Sequence, residues 1–235
     1  MPPKKTKDFN EHYFDVPTVE NSYWAGFIAT DGCINIEGFG RMCLCFSVTD
    51  YEAVKSLAQC LSSDIKTIKI YKVGKKHKSK KLDRYGRERY IISKKDRYYK
   101  TYTSNHMCGK LWSNFNITPQ KTYTLLPPKL TDLEHIKAFL VGVIDGDGSI
   151  IKTEKKSLTV SLVSASKPFI SWCNTQLAIV GGVKENKIYE EYNRYYNSTI
   201  YSLSYSCNTA RKILKELVSV DVPKLERKWS KCQDL

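Results

Sequence analysis

The sequence predicts an α+β fold made of two pseudo-symmetric αββαββα halves. Three observations carry that prediction. The stretch YWAGFIATDGCI at 23–34 returns as FLVGVIDGDGSI at 139–150, each time an apolar run closed by Asp-Gly. The order of hydrophobic periodicities after the first copy returns after the second. Between the repeats lies ITPQKTYTLLPPKL (117–130), whose three prolines mark a linker. The chain thus divides into an N-terminal arm (1–17), a first half (18–118), a linker (119–130) and a second half (131–235).

Thr18 to Ala29 has small and apolar residues on one face of a helix, stopped by Asp31-Gly32. CINIEGFGRMCLCFSVT then gives two alternating runs split by Gly38-Phe39-Gly40, a hairpin signal. Apolar spacings of three and four over 50–62 predict a second helix. IKTIKIYKV (65–73) and DRYYKTYTS (96–104) read as strands flanking a strongly basic loop at 74–95, and NHMCGKLWSNF (105–115) as a helix with an asparagine cap. The second half repeats this order. Its helices are expected over 132–145, 167–180 and 208–218, and its strands near 149–154, 157–163, 183–190 and 198–205.

The formal net charge is +14, from 38 Lys plus Arg against 24 Asp plus Glu, which makes a polyanion the first partner to expect. No run approaches the ~20 apolar residues of a bilayer span, and MPPKKTKDFNEH lacks the apolar core of a secretory signal. An intracellular protein is expected. None of the eight cysteines forms a C-x-x-C pair, and Cys43, Cys45, Cys60, Cys108 and Cys173 sit in apolar-periodic segments; they read as buried free thiols of a reducing compartment.

The strands alternate, with polar positions rich in Lys, Arg, Tyr, Thr and Ser. One sheet face would meet the helices while the other stays basic and hydrogen-bonding, a composition suited to phosphates and to base edges in a major groove. In the first half Arg41, Lys69, Lys72, Arg97 and Lys100 are candidate DNA contacts; in the second, Lys152, Lys155, Lys184, Lys187 and Arg194. The loop adds Lys75, Lys76, Lys78, Lys80, Lys81, Arg84, Arg87 and Arg89.

Ala25, Gly26 and Ala29 in the first repeat, and Gly142 and Gly146 in the second, would let two helices approach closely, with Gly26 and Gly142 at the interface. Their C-terminal ends would meet. Each ends in a carboxylate, Asp31 or Asp147, followed by Gly32 or Gly148, free to take a left-handed cap. An acid at that end opposes the helix dipole, and two acids side by side are worse. A divalent cation between them, held by hard oxygen ligands in the manner of magnesium, makes sense of the pair. Asp145 has Ala29 as its counterpart and reads as structural.

WAGFIATDG (24–32) and LVGVIDGDG (140–148) resemble the LAGLIDADG motif of homing endonucleases, here in the two-motif, monomeric arrangement. The resemblance spans nearly the whole chain and implies antiparallel, saddle-shaped DNA-binding sheets packed through the motif helices. It implies that Asp31 and Asp147 bind catalytic Mg²⁺, with Mn²⁺ able to substitute and Ca²⁺ supporting binding without cleavage. It places Lys121 and Lys228 beside the scissile phosphates, Lys224 and Arg227 competing for the latter position. Where relatives often hold glutamine at the end of the second strand, this chain has Asp50 and Ser166.

Two sheets with strands of about 25 Å would cover on the order of 20 base pairs of an asymmetric site. The implied activity is a metal-dependent staggered double-strand break in such a site. The family's other activity, an intron-encoded RNA maturase assisting group I intron splicing, is the alternative, with intron RNA as partner. A DNA-binding regulator on a degenerate copy of the fold would have lost one or both acids. Organelle matrix, prokaryotic cytoplasm and phage-infected cytoplasm all stay open, and no membrane partner is expected.

Overall fold

The computed structural model describes residues 8–72, 76–78, 90–92, 95–154, 157–193 and 197–235. The first repeat forms α1 (Val19–Asp31), β1 (Gly32–Glu37), β2 (Arg41–Val48), α2 (Tyr51–Cys60), β3 (Lys69–Tyr71), β4 (Lys76–Lys78), β5 (Tyr90–Ile92), β6 (Arg97–Thr103) and α3 (Asn105–Phe115). The second forms α4 (Leu133–Gly146), β7 (Ser149–Lys152), β8 (Leu158–Ser164), α5 (Lys167–Gly181), β9 (Tyr189–Asn193), β10 (Ser198–Ser206) and α6 (Cys207–Val218); a short α7 (Glu226–Trp229) follows. Each repeat contributes one four-stranded antiparallel sheet, ordered β1-β2-β6-β3 and β7-β8-β10-β9, and β4 pairs with β5 as a separate ribbon. The αββαββα order is therefore present twice, with the β4–β5 ribbon inserted between β3 and β6 of the first repeat. No described helix is long and apolar enough to cross a membrane.

By compactness the chain falls into a smaller unit, Cys45–Tyr102 with the arm up to Asn10, and a larger one, Glu11–Leu44 with Thr103–Leu235. Both motif helices belong to the larger unit.

Helix α1 starts with a reciprocal capping box. Thr18 Oγ1 accepts from the Asn21 amide at 3.2 Å, and Asn21 Oδ1 accepts from the Thr18 amide at 2.8 Å. Asp132 caps α4, accepting from the Glu134 and His135 amides. Asn21 through Ala29 and Ala138 through Asp145 are buried without interruption, so both motif helices are surrounded by protein on every face, as the centre of a helical interface requires. Around α4, Phe139 stacks parallel to Phe115 and meets Trp172 edge-on at 5.7 Å.

The structure departs from sequence expectation at several ends. Of the described residues 65–72 only Lys69–Tyr71 is strand, because Asp64 caps a 3₁₀ turn over Ile65–Thr67; Val73 lies outside the described residues. Strand β9 starts at Tyr189 rather than near 183. The Asn174 side chain occupies both backbone groups of Asn186, donating to its carbonyl at 2.8 Å and accepting its amide at 3.1 Å, and so replaces a strand partner. Ser104, not Asn105, caps α3, accepting from the Met107 amide at 3.1 Å; Asn105 instead accepts from the Met42 amide at 2.7 Å.

All eight cysteines are free thiols. Cys43, Cys108, Cys173 and Cys232 are buried, while Cys33 and Cys207 are exposed.

Candidate active site

Helices α1 and α4 touch backbone to backbone. A Cβ built on Gly26 would fall 2.0 Å from the Phe139 carbonyl oxygen, and one on Gly142 would fall 2.0 Å from the Tyr23 carbonyl oxygen. Phe139 precedes Gly142 in α4 by the same interval as Tyr23 precedes Gly26 in α1, so the contact is reciprocal, the signature of a two-fold relation between the motif helices. Further along, a Cβ on Gly146 would meet Thr30 Oγ1 at 1.8 Å and approach Asp31 Oδ2 at 3.4 Å. Glycine is required at all three positions by proximity. The Asp31 carboxylate is thereby brought against the residue that precedes Asp147.

The expectation that Gly32 and Gly148 form left-handed caps is corrected. Gly32 is extended (φ −90°, ψ 162°), and Gly148 is not among the positive-φ glycines. Both are glycine because the chain folds back on its own helix: a Cβ on Gly32 would meet the Ile28 carbonyl oxygen at 2.8 Å, and one on Gly148 the Ile144 Cα at 2.6 Å.

Two buried lysines resolve the electrostatic conflict at these helix ends. Lys121, in the turn after α3, donates to the Gly32 carbonyl at 2.6 Å. Lys228, on α7, donates to the carbonyls of Ile144, Asp145 and Gly148 at 2.7 Å each and of Gly146 at 3.0 Å. Each motif helix thus ends on an ammonium group, which offsets the partial negative charge of its last carbonyls and the acid beside them. The same four side chains feel one another. Desolvation by the surrounding protein raises the Asp147 carboxyl above its ordinary value, although the residue keeps access to solvent, and Lys121 and Lys228 pull the other way. Burial lowers Lys121, while Cys33, Asp147 and Asp31 oppose that shift. Lys228 is pushed down to about 8 by burial and Arg227, against Asp145, Asp31 and Asp147.

Asp147 stays open to solvent and Asp31 half-buried. A cleft of about 100 Å³ is lined by Thr30, Lys121, Asp147 and Ser164. The donor set is two carboxylates from two helix ends with solvent access, which fits a hard divalent cation that keeps part of its water shell.

Lys228, rather than Lys224, stands at this position; Lys224 donates to the Val220 carbonyl in its own loop. Asp145 is fully buried and accepts from the Tyr23 hydroxyl at 2.9 Å, the Leu225 amide at 3.1 Å and the Trp229 indole at 2.7 Å. Sequence reasoning anticipated neither this clamp nor α7, which carries Lys228. A tryptophan, Trp229, shortly after Pro223 was the available signal. Ser166 is also structural: it donates to the Leu125 carbonyl at 2.6 Å and caps α5. Asp50 lies at the N-cap of α2.

The candidate DNA contacts separate by register. Across β3 and β6, Lys69 faces Tyr99 and Tyr71 faces Arg97, with Tyr71 and Tyr99 stacked at 4.3 Å. Lys69, Lys72 and Arg41 are exposed. Lys100 is a correction: it falls on the opposite face with Tyr102, is buried, and donates to the Asp64 carbonyl at 2.7 Å and to Thr67 Oγ1. Arg97 is half-buried and donates to the Ser47 carbonyl. In the second sheet the open face of β8 and β10 carries hydroxyls among the described residues, Ser204 opposite Ser161 and Ser206 opposite Thr159. Lys152 pairs with Asp234 at 2.7 Å, Lys187 stands over the Tyr189 ring at 5.1 Å, and Lys184 is exposed before β9. Lys75, Lys80, Lys81, Arg84, Arg87, Arg89, Lys155 and Arg194 lie outside the described residues, as do the side chains of Lys76 and Lys78.

Fold and site define a two-motif protein whose paired helices end in an acidic centre. Residues 134–217 match the LAGLIDADG-like domain family. The homing endonuclease I-WcaI bound to its DNA recognition sequence shares the fold, with 14% identity, a TM-score of 0.54, and coverage of 94% of this chain and 91% of that one. Mesophilic variants of the homing endonuclease I-DmoI align with 14% identity, a TM-score of 0.53, and coverage of 93% and 96%. An I-DmoI variant in complex with its nicked target DNA in the presence of Mn aligns with 14% identity, a TM-score of 0.50, and coverage of 91% and 99%. No curated protein matches the chain at the sequence level. Residues 134–217 are thus similar to a LAGLIDADG-like domain, and the chain as a whole shares the fold of those homing endonucleases.

Proposed function

We propose that this protein is a site-specific DNA endonuclease that makes a metal-dependent staggered double-strand break in a long, asymmetric target. The observation that carries this reading is the approach of Asp31, at the end of one motif helix, to Gly146, the neighbour of Asp147 at the end of the other, the two helices being in reciprocal contact with Lys121 and Lys228 behind their ends. A divalent cation held by the two carboxylates, Mg²⁺ or Mn²⁺, supplies Lewis-acid polarisation of the phosphate and a water of lowered pKa. The chain's own contribution is to hold one acid for each strand of a duplex. The two lysines act through their field, lowering the cost of gathering negative charge at the centre. The exposed Lys69 and Lys72 with the Tyr71–Tyr99 stack offer phosphate and base-edge contacts on one sheet. The hydroxyl face of the other sheet offers neutral donors and acceptors. Faces that differ in chemistry suit a target whose half-sites differ.

Selection of bound duplexes from a random library in Ca²⁺, then transfer of the winners to Mg²⁺ or Mn²⁺, tests the reading. The wild type is expected to cut a long non-palindromic consensus. Asp31→Asn and Asp147→Asn are expected to bind it with cleavage slowed on the order of 10²–10³-fold or more. Undiminished cutting by either variant removes the metal assignment. Enrichment of structured RNA with no duplex selected would make the protein a maturase instead.

A further inference from the structure

We propose that His12, Asp15 and His106 form a second metal site, for a divalent transition ion of the zinc type, distinct in place and chemistry from the helix-end carboxylates. His12 Nδ1 lies 2.9 Å from Asp15 Oδ2, and His106 Nε2 lies 2.5 Å from Asp15 Oδ1. The three ligand atoms all fall within 4.8 Å of one another. The two imidazoles lie with centroids 4.6 Å apart, tilted by 55°, so both turn a nitrogen to the same carboxylate. Bonds of about 2.0–2.1 Å to a tetrahedral ion place ligand atoms roughly 3.3 Å apart. Both histidine-to-carboxylate distances are already shorter than that. Small rotations of the exposed rings open them and close the remaining gap.

The backbone beneath the cluster is fixed independently of it. Asn114 Nδ2 donates to the Phe14 and Asp15 carbonyls at 3.0 and 3.2 Å, and the Phe14 ring between the arm ligands is fully buried. His106 sits in the first turn of α3 under the Ser104 cap. Two segments far apart in sequence therefore present three ligands from held backbone. Held ligands reduce the ordering cost of binding an ion.

Two imidazole nitrogens and one carboxylate select Zn²⁺, Co²⁺, Ni²⁺ or Cu²⁺ over Mg²⁺ and Ca²⁺. The exposure of His12 and His106 leaves the remaining positions to water. The ion would tie the N-terminal arm to α3. Because it binds the folded chain, it would also raise the melting temperature.

The test is Co²⁺ titration of the tag-free full chain. Expected are one equivalent of d–d absorption, without thiolate charge transfer, displaced by Zn²⁺ and not by Mg²⁺, and a rise in Tm. His106→Ala is expected to weaken binding by about 100-fold or more. His12→Gln, at an exposed position in the arm, repeats the test without touching α3. The proposal is overturned if wild type gives no band, if the absorption carries thiolate charge transfer, or if both variants keep it.

Discussion

The Asp145 carboxylate accepts the Trp229 indole N–H at 2.7 Å, and this bond fastens α7 to the inner motif helix. The other carboxylate oxygen takes both the Tyr23 hydroxyl and the Leu225 amide. Three donors from three places converge on one buried acid. Through Leu225 and Trp229, which flank it, Asp145 sets where Lys228 stands. It is a positioning residue.

Asp145→Asn replaces one acceptor oxygen with a donor, so at least one buried N–H or O–H loses its partner whichever way the amide turns. The cost is about 1–3 kcal/mol, and Tm is expected to fall by several degrees, at about 2–4 °C per kcal/mol for a chain of this size. Hydrogen exchange at Trp229 should rise with it. An unchanged Tm with unchanged protection would show that the clamp is not holding the segment.

Close approach at Gly26 and Gly142 predicts a severe response to a single methyl group. Gly26→Ala or Gly142→Ala must push apart helices whose backbones touch, and overpacking of this kind costs about 1–3 kcal/mol or more. The control is Gly109→Ala in α3, where a Cβ meets nothing within 4 Å. There, helix propensity should raise stability by about 0.5–1 kcal/mol. Urea midpoints of the three variants check both signs; similar shifts for all would mean the helix contact is slack.

Much of this is legible in the sequence, for identifiable reasons. The motif helices can be read because small residues recur on the contact face, and their acids because an Asp there opposes the helix dipole. The role of Gly32 and Gly148 cannot, since an extended glycine touching its own helix and a left-handed cap leave the same letters. The start of β9 is hidden because Asn174 satisfies the Asn186 backbone from another element. The inward turn of Lys100 is hidden because two strands of mixed Lys and Tyr read equally well in either register. Lys121 and Lys228 emerge only through the family resemblance; no local pattern marks a lysine that reaches the end of a distant helix.

Lys228 gives a pH dependence whose sign can be worked out. Its folded-state pKa of about 8 lies below that of an unfolded lysine, about 10.4. Between those values the unfolded chain binds more protons, so the Lys228 contribution makes the fold more stable as pH rises through that window. Lys228→Arg keeps a cation that does not titrate there. Denaturant midpoints measured from about pH 8 to 10, within that window, should therefore climb more steeply in the wild type than in the variant. Parallel slopes would show that Lys228 titrates as an ordinary lysine.

Exposure also predicts which lysines meet DNA. Lys69 in β3 and Lys72 just past its end are exposed, whereas Lys100, on the face of β6 opposite to that of Lys69, is buried and donates to the Asp64 carbonyl and the Thr67 hydroxyl. Each lysine that neutralises a phosphate adds about 0.9 to the slope of log K against log salt. Lys69→Gln with Lys72→Gln should thus flatten that slope by nearly two while leaving Tm within about one degree, as substitutions at solvated positions do. Lys100→Gln should do the reverse, lowering Tm by several degrees because a buried charged donor to the Asp64 carbonyl and the Thr67 hydroxyl is lost, with the salt slope of the folded protein intact. Fluorescence anisotropy over a salt series, alongside thermal melts of the same preparations, reads both effects. A flattened slope in Lys100→Gln, or an unchanged one in the double variant, would mean that the other face of the sheet meets the duplex.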